Sequence, residues 1–179
     1  VAVAGRYCWA VGERGVVCLS EDGGRTWLTR ALPFDCRLTS VCFLTNRRGW
    51  IGGIQVDRGG SPVAVLLSTD DGGQTWRDLS GTDGSLPGIL QLQFFGLEEA
   101  IAVTLPAADQ RGATLFRTRD GGESWEPVAT DRARSLWLGA GFWAADAGVV
   151  AGLRQGLGVL TGNEAIVLQQ AAGGLRSLR

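Results

Sequence analysis

With 179 residues and a formal net charge of −1, the chain is long enough for one sizeable hydrophobic core. A charge near zero argues against a protein that binds nucleic acid by neutralising phosphates, and no apolar run reaches the ~20 residues of a membrane-spanning helix. All 17 basic residues are arginines and histidine is absent. The chain therefore offers no Schiff-base lysine, no P-loop lysine and no histidine as general base or metal ligand.

An eight-residue motif recurs three times, at Ser20–Trp27, Thr69–Trp76 and Thr118–Trp125. Its shared pattern is Ser/Thr-x-Asp-x-Gly-x-Thr/Ser-Trp, and its tryptophans recur at a constant interval of 49 residues. A repeat of this length is typical of solenoids, propellers and similar arrays.

The motif, an Asp-box, has the chemistry of a tight turn between two strands. Aspartate accepts backbone N–H bonds a few residues on, glycine adopts a positive φ, and Ser or Thr adds a local bond. Tryptophan then begins the next strand and is expected to bury its ring between sheets. Because a turn is needed in every unit whereas a catalytic group is needed once, we predict a structural role for Ser20, Asp22, Gly24, Thr26, Trp27, Thr69, Asp71, Gly73, Thr75, Trp76, Thr118, Asp120, Gly122, Ser124 and Trp125.

Alternating apolar residues around each box predict four strands per unit and no helices. Such units are typical of a β-propeller, so we predict an all-β fold with four-stranded blades. In chain order the predicted strands are Val1–Ala4, Tyr7–Val11, Val16–Ser20 and Thr26–Ala31; Ser40–Leu44, Trp50–Ile54, Ala64–Ser68 and Thr75–Leu79; Leu90–Phe95, Ala100–Leu105, Thr114–Thr118 and Ser124–Val128; Leu136–Trp143, Ala147–Leu153, Gly158–Thr161 and Ala165–Gln169.

The fourth unit has no intact box. Thr161 and Asn163 fit the first two positions of the motif, but the glycine, threonine and tryptophan positions are apolar. The segment Arg176–Leu178 repeats Arg134–Leu136, which precedes the first strand of the fourth unit. We therefore predict a single incomplete propeller, an open arc of about four blades. Its predicted units are residues 1–35, 36–84, 85–131 and 132–172, with 173–179 entering a next blade.

Four cysteines, Cys8, Cys18, Cys36 and Cys42, match no CxxC zinc or redox pattern. Cys8 and Cys18 flank one predicted hairpin turn, so a disulfide between them and buried free thiols are both open alternatives.

The longer context of the box resembles one family. Trp9–Gly12, Gly15 and Ser20–Trp27, with Gly49–Gly52 as a second occurrence, are similar to the repeat of photosystem II stability/assembly factors. Related Asp-box (BNR) repeats occur in sialidases, sortilin-type receptors and other glycoside hydrolases. The resemblance implies a non-catalytic, seven-bladed propeller on the luminal or periplasmic side of a membrane, with an arginine cluster that binds partners.

The loop between the second and third strands of each unit carries an arginine, and the links between units carry further arginines. In a propeller these loops share one face, opposite the Asp-boxes, and forked guanidinium groups suit carboxylates or phosphates. We predict a partner-binding surface with several guanidinium groups free of ion pairs inside the propeller. Its residues are Arg14, Arg37, Arg58, Arg111, Arg132, Arg134 and Arg154. Acidic residues share the same loops, so an alternative is a solvated, nearly neutral face.

The predicted function is a non-enzymatic, extracytoplasmic scaffold that binds protein partners such as membrane-protein assembly intermediates, with no nucleic acid, cofactor or metal. The alternatives are a fragment of a sialidase-like or xyloglucanase-like glycosidase and a sortilin-like receptor ectodomain. Against a sialidase, Tyr7 is the only tyrosine. Against other glycosidases, no sequence feature pairs two of the loop carboxylates at a catalytic separation.

Overall fold

The computed structural model describes residues 1–81, 86–106, 114–130, 135–144, 147–154, 164–171 and 174–177. Its strands form four separate antiparallel sheets, each made of four strands that are consecutive in the chain. They are β1–β4 at Ala2–Ala4, Tyr7–Val11, Val16–Ser20 and Leu28–Ala31; β5–β8 at Arg37–Phe43, Gly49–Val56, Pro62–Thr69 and Arg77–Asp78; β9–β12 at Ile89–Phe94, Ala100–Thr104, Thr114–Thr118 and Glu126–Thr130; and β13–β16 at Ser135–Ala144, Ala147–Arg154, Glu164–Ala171 and Gly174–Ser177. The prediction of an all-β propeller with four strands per blade is confirmed.

The fourth sheet differs from the prediction in its last two strands. Residues 165–169, predicted as its fourth strand, lie in the third strand β15, where Ala165 pairs with Leu153 of β14. The segment predicted to enter a next blade forms the fourth strand instead, since β16 pairs with β15 from Leu168↔Ser177 to Ala171↔Gly174. The predicted strand Gly158–Thr161 lies outside the described residues. Without a box to fix the turn, the apolar run at 165–168 fits either strand, and the alternation alone cannot choose the register.

Side chains alternate between the two faces of each sheet, and adjacent sheets pack face to face through them. Between the first and second sheets, Trp9 and Val17 meet Phe43, Ile51 and Leu67, all buried. The cluster between the second and third sheets is centred on equivalent positions, and a smaller cluster lies between the third and fourth. Because both faces of the central sheets are covered, their middle strands β6, β7 and β10 are almost continuously apolar.

A tryptophan at the same position joins each of the first two sheets to the next one. The Trp9 indole N–H donates to the carbonyl oxygen of Gly72 at 2.9 Å, and Trp50 donates to Gly121 at 3.2 Å. Both acceptors are Asp-box glycines of the following sheet. Each indole also stacks on a phenylalanine at the end of the following sheet's first strand. The ring centroids are 3.6 Å apart for Trp9–Phe43 and 3.7 Å for Trp50–Phe94.

The first sheet leaves its other face open. Val3 has the position in the first sheet that Phe43 has in the second, and it is 62% exposed. The side chain of Trp27 is 44% exposed. The expectation that every box tryptophan is buried between sheets therefore holds for Trp76 and Trp125, which pack against core clusters, but not for Trp27. Trp27 lies on the face that no described sheet covers, which agrees with an open arc.

The four cysteines are free thiols. In the hairpin of β2 and β3, Cys8 pairs with Ser20 while Cys18 pairs with Ala10. The two cysteines are thus diagonal neighbours rather than opposite each other, and the disulfide alternative is not realised.

Replacing Trp50 with phenylalanine should destabilise the protein, because the buried Gly121 carbonyl loses its donor and the smaller ring leaves a void in the core. We expect a loss of roughly 1–3 kcal/mol in the free energy of unfolding, measured by urea denaturation. Trp143→Phe is the matched control, since Trp143 is 63% exposed. Equal stability of the two variants would show that the indole bond does not join the sheets.

Candidate partner-binding face

The Asp-box turn is closed by its own side chains. In the second box, the Thr69 hydroxyl donates to Asp71 Oδ1 at 2.8 Å and accepts the Gly73 N–H at 2.9 Å. Asp71 also accepts the backbone N–H groups of Gln74 and Thr75, each at 2.9 Å, and the Thr75 hydroxyl at 2.6 Å. A positive φ of 79° at Gly72 and 90° at Gly73 completes the turn. The carboxylate is therefore fully engaged in local bonds.

The first and third boxes repeat this arrangement. Hydrogen bonds from the Thr26 side chain and backbone lower the pKa of Asp22 to about 2. The pKa of Asp71 is lowered in the same way by Thr75. For Asp120, partial burial acts to raise the pKa, but bonds from Ser124 and its neighbours outweigh it and lower the pKa. Carboxylates held ionised in this way are unsuited to act as general acids.

Tyr7, the tyrosine that a sialidase would use as nucleophile, is held in an aromatic stack. Tyr7 stacks on Trp9 with ring centroids 6.2 Å apart, and Arg6 lies over its ring. No group of three cysteine or acidic side chains in the described ranges lies close enough to hold a metal ion.

The boxes define one end of the sheets, the box end, where they also bond the turns between first and second strands. The N–H groups of Gly23, Gly72 and Gly121 donate to carbonyl oxygens of residues 6, 47 and 98. The opposite end, the loop end, carries residues 12–15, 32–37 and 57–61.

The first arginine loop is anchored to the link between the first two sheets. Its backbone bonds run from Gly15 N–H to Cys36 O at 2.8 Å and from Leu38 N–H to Gly12 O at 3.0 Å. Arg14 has a φ of 56°, in the left-handed region, and its side chain is exposed. A fixed backbone thus presents Arg14 to solvent.

The second arginine loop is closed by an aspartate. Asp57 Oδ1 accepts the N–H groups of Gly59 and Ser61, both at 2.8 Å. Arg58 is exposed beside this turn and has no ion pair among the described residues.

An open groove of about 1080 Å³ runs along the loop end across three sheets. Arg14 and Arg37 line it together with Glu13 and Asp35, and Val56 and Leu105 contribute apolar surface. Val56 is 63% exposed, so the groove combines charged groups of both signs with an apolar wall.

The structure brings Arg14, Arg37 and Arg58 to the loop end. Arg37 departs from the expectation of a free guanidinium, since its Nε lies 3.0 Å from Glu13 Oε1, although both side chains stay more than half exposed. Arg154 ends β14, the second strand of its sheet, and so lies at the same end. Arg111, Arg132 and Arg134 lie outside the described residues.

Sequence reasoning missed the apolar side of the groove and the indole donors. Val56 ends the second strand of its sheet and Leu105 directly follows that of the next sheet, and neither position gave a signal of exposure. Trp9 and Trp50 each lie in a second strand and are followed three residues later by a glycine, Gly12 and Gly53, and that shared pattern could have identified them as partners of the boxes.

The chain matches a family model and a curated relative. The model described as photosynthesis system II assembly factor YCF48 matches residues 3–158. The photosystem II assembly lipoprotein Ycf48 of Synechococcus sp. (strain CC9902) is 32% identical over 134 residues, which cover 70% of this chain and 34% of that relative.

Solved structures share the fold. The structure described as YCF48 bound to D1 peptide has a TM-score of 0.70 at 23% identity, covering 98% of this chain and 52% of that chain. YCF48 from Cyanidioschyzon merolae has a TM-score of 0.66 at 21% identity, covering 96% of this chain and 52% of the other. The chain thus spans about a third of the curated relative and half of each solved chain. No described helix is long and apolar enough to cross a membrane.

The boxes should make stability depend on acid pH. A carboxyl group whose pKa is lowered by folding stabilises the protein above its unfolded pKa of about 3.9 and loses this effect as the pH falls through its folded value. Thermal unfolding should therefore move to lower temperature between pH 4 and 2. Asp22→Asn should unfold at lower temperature at pH 7 and show a weaker dependence over that range.

Glu21→Gln is the control, because Glu21 is the exposed neighbour of Asp22 in the same turn. The interpretation fails if Asp22→Asn and Glu21→Gln have the same profile as the unmodified protein.

Proposed function

Because the chain belongs to the YCF48 family of photosystem II assembly factors, we propose that it is a non-enzymatic scaffold that binds a polypeptide partner outside the cytoplasm. One solved relative is described as bound to a D1 peptide, and the curated relative is described as a lipoprotein. These descriptions support a membrane-protein assembly intermediate as partner, and the periplasm or thylakoid lumen as location.

The loop end is the proposed binding face. The observation that carries this is the exposure of Arg14, Arg37 and Arg58 at the loop end, where Arg14 and Arg37 also line the groove, while the box end is occupied by structural hydrogen bonds. Guanidinium groups bind carboxylates in a forked geometry, so the proposed partner segment presents acidic residues with apolar ones between them. Arg111, Arg132, Arg134 and Arg154 belong to the proposed face through their positions in the sequence.

The non-enzymatic assignment rests on the boxes. Their aspartates are the repeated acidic groups of the chain, and each is held by several local hydrogen bonds. A scaffold requires such turns in every blade, whereas an enzyme would require one acid that is free to transfer a proton.

The arginine face can be tested at constant charge. An Arg14→Lys/Arg58→Lys variant should bind a fluorescently labelled D1 peptide about tenfold more weakly, because lysine cannot form the forked contact. Fluorescence anisotropy measures the affinity, and raising the salt concentration should weaken binding by both proteins to a similar degree, because the substitutions leave the charge unchanged.

Arg6→Lys/Arg25→Lys is the matched control, since both residues are exposed at the box end. Equal peptide affinity of the two double variants would contradict a binding face at the loop end.

A further inference from the structure

A cavity of about 300 Å³ lies between the first and second sheets, on their outer side. Trp9, Leu67 and Trp76 line its inner part, and Trp9 and Leu67 are almost fully buried. Its volume is at the lower end of the range of ligand sites and suits a single large side chain. The cavity includes none of Arg14, Arg37 and Arg58, so it is separate from the proposed binding face.

The next interface shows why this cavity exists. Leu79 follows the box tryptophan of the second sheet by three residues, and it packs into the cluster between the second and third sheets. The residue at the same distance from Trp27 is Arg30. In addition, the position of Leu66 in the second sheet corresponds to the smaller Val17 in the first. The first sheet thus has Arg30 and Val17 where the second sheet has two leucines. This difference leaves space between the first and second sheets, whereas the space between the second and third sheets is filled.

Arg30 lies at the mouth of the cavity, where its guanidinium group can pair with an anionic group of a ligand. Its Nη1 lies 3.4 Å from the carbonyl oxygen of Gln74, and it has no ion pair in the part of the chain that the structure describes. Asp78 also lines the cavity, but its Oδ1 accepts the Ser80 N–H at 2.8 Å. A cation beside an apolar cavity favours a group that is apolar at one end and anionic at the other.

We propose that this cavity is a second binding site, which takes one aromatic or branched aliphatic side chain of a partner peptide that has an acidic residue next to it. The apolar side chain contacts Trp9, Trp76 and Leu67, and the neighbouring carboxylate pairs with Arg30. The size of the cavity favours a single side chain over a whole sheet, and the charge of Arg30 favours an acidic neighbour.

The probe is a fluorescein-labelled Gly-Ser-Gly-Phe-Glu-Gly-Ser-Gly amide, and anisotropy measures its affinity for the full chain. Replacing the probe's Phe with Ala should weaken binding about tenfold or more, as expected for burying one large apolar side chain. Replacing its Glu with Gln should cost only about two- to fivefold, because Arg30 lies near solvent. That second difference should disappear with an Arg30→Gln variant.

Val17→Leu fills the cavity with the side chain that the second sheet carries at the same position, and it should abolish probe binding without unfolding the protein. Val17→Ala enlarges the cavity and should retain binding, which separates loss of the site from a general effect of substitution. Near-UV circular dichroism checks that both variants are folded.

Three results would overturn the proposal. They are no saturable binding of the Phe-Glu probe, equal binding by folded Val17→Leu, and a Glu-to-Gln difference that persists in Arg30→Gln. The exposed Leu97 and Glu98 form an apolar–acidic pair on this chain itself. Sedimentation showing a dimer that Val17→Leu and Leu97→Ser both abolish would therefore assign the cavity to a second copy of the chain instead.

Discussion

The hydrogen bond from a buried indole to the Asp-box of the next sheet is the contact on which this architecture depends. Trp9 and Trp50 are fully buried, and a buried N–H without an acceptor would cost free energy comparable to the whole gain of a typical side-chain bond. The box supplies that acceptor because its glycines turn a carbonyl toward the preceding sheet. One motif thus closes a hairpin and also joins two sheets.

The interface between the third and fourth sheets, which lacks both this indole donor and the box, supports this interpretation. The strand pairing places Ile101 at the position of Trp9 and Trp50, since Cys8, Gly49 and Ala100 all pair with the first residue of a box. The following sheet connects β15 and β16 with residues 172–173 alone, which leaves no room for a box. The indole donor and its acceptor are therefore both replaced at the same interface, and Ile101 packs in an apolar cluster with Phe142.

The box turns and the placement of the arginine loops could be predicted from the sequence, because each box consists of residues that are close together in the chain. The bonds of Asp71 to Thr69 and Thr75 join residues a few positions apart, and the topology of a four-stranded unit places Arg14 and Arg58 at the other end. The last two strands of the fourth sheet could not be predicted, because without a box the register of residues 165–169 depends on their pairing with the neighbouring strands. The Arg37–Glu13 ion pair and the cavity beside Arg30 likewise depend on contacts between segments that sequence spacing does not specify.

Hydrogen exchange of the indole N–H groups, followed by NMR, measures whether these bonds join the sheets. We expect the Trp9 and Trp50 indole protons to exchange far more slowly than that of the exposed Trp143, and at the same rate as the amide protons of the box that each one contacts. Assignment follows from the loss of one signal in each Trp→Phe variant. Indole protons of Trp9 and Trp50 that exchange as fast as that of Trp143 would contradict the claim that these bonds join the sheets.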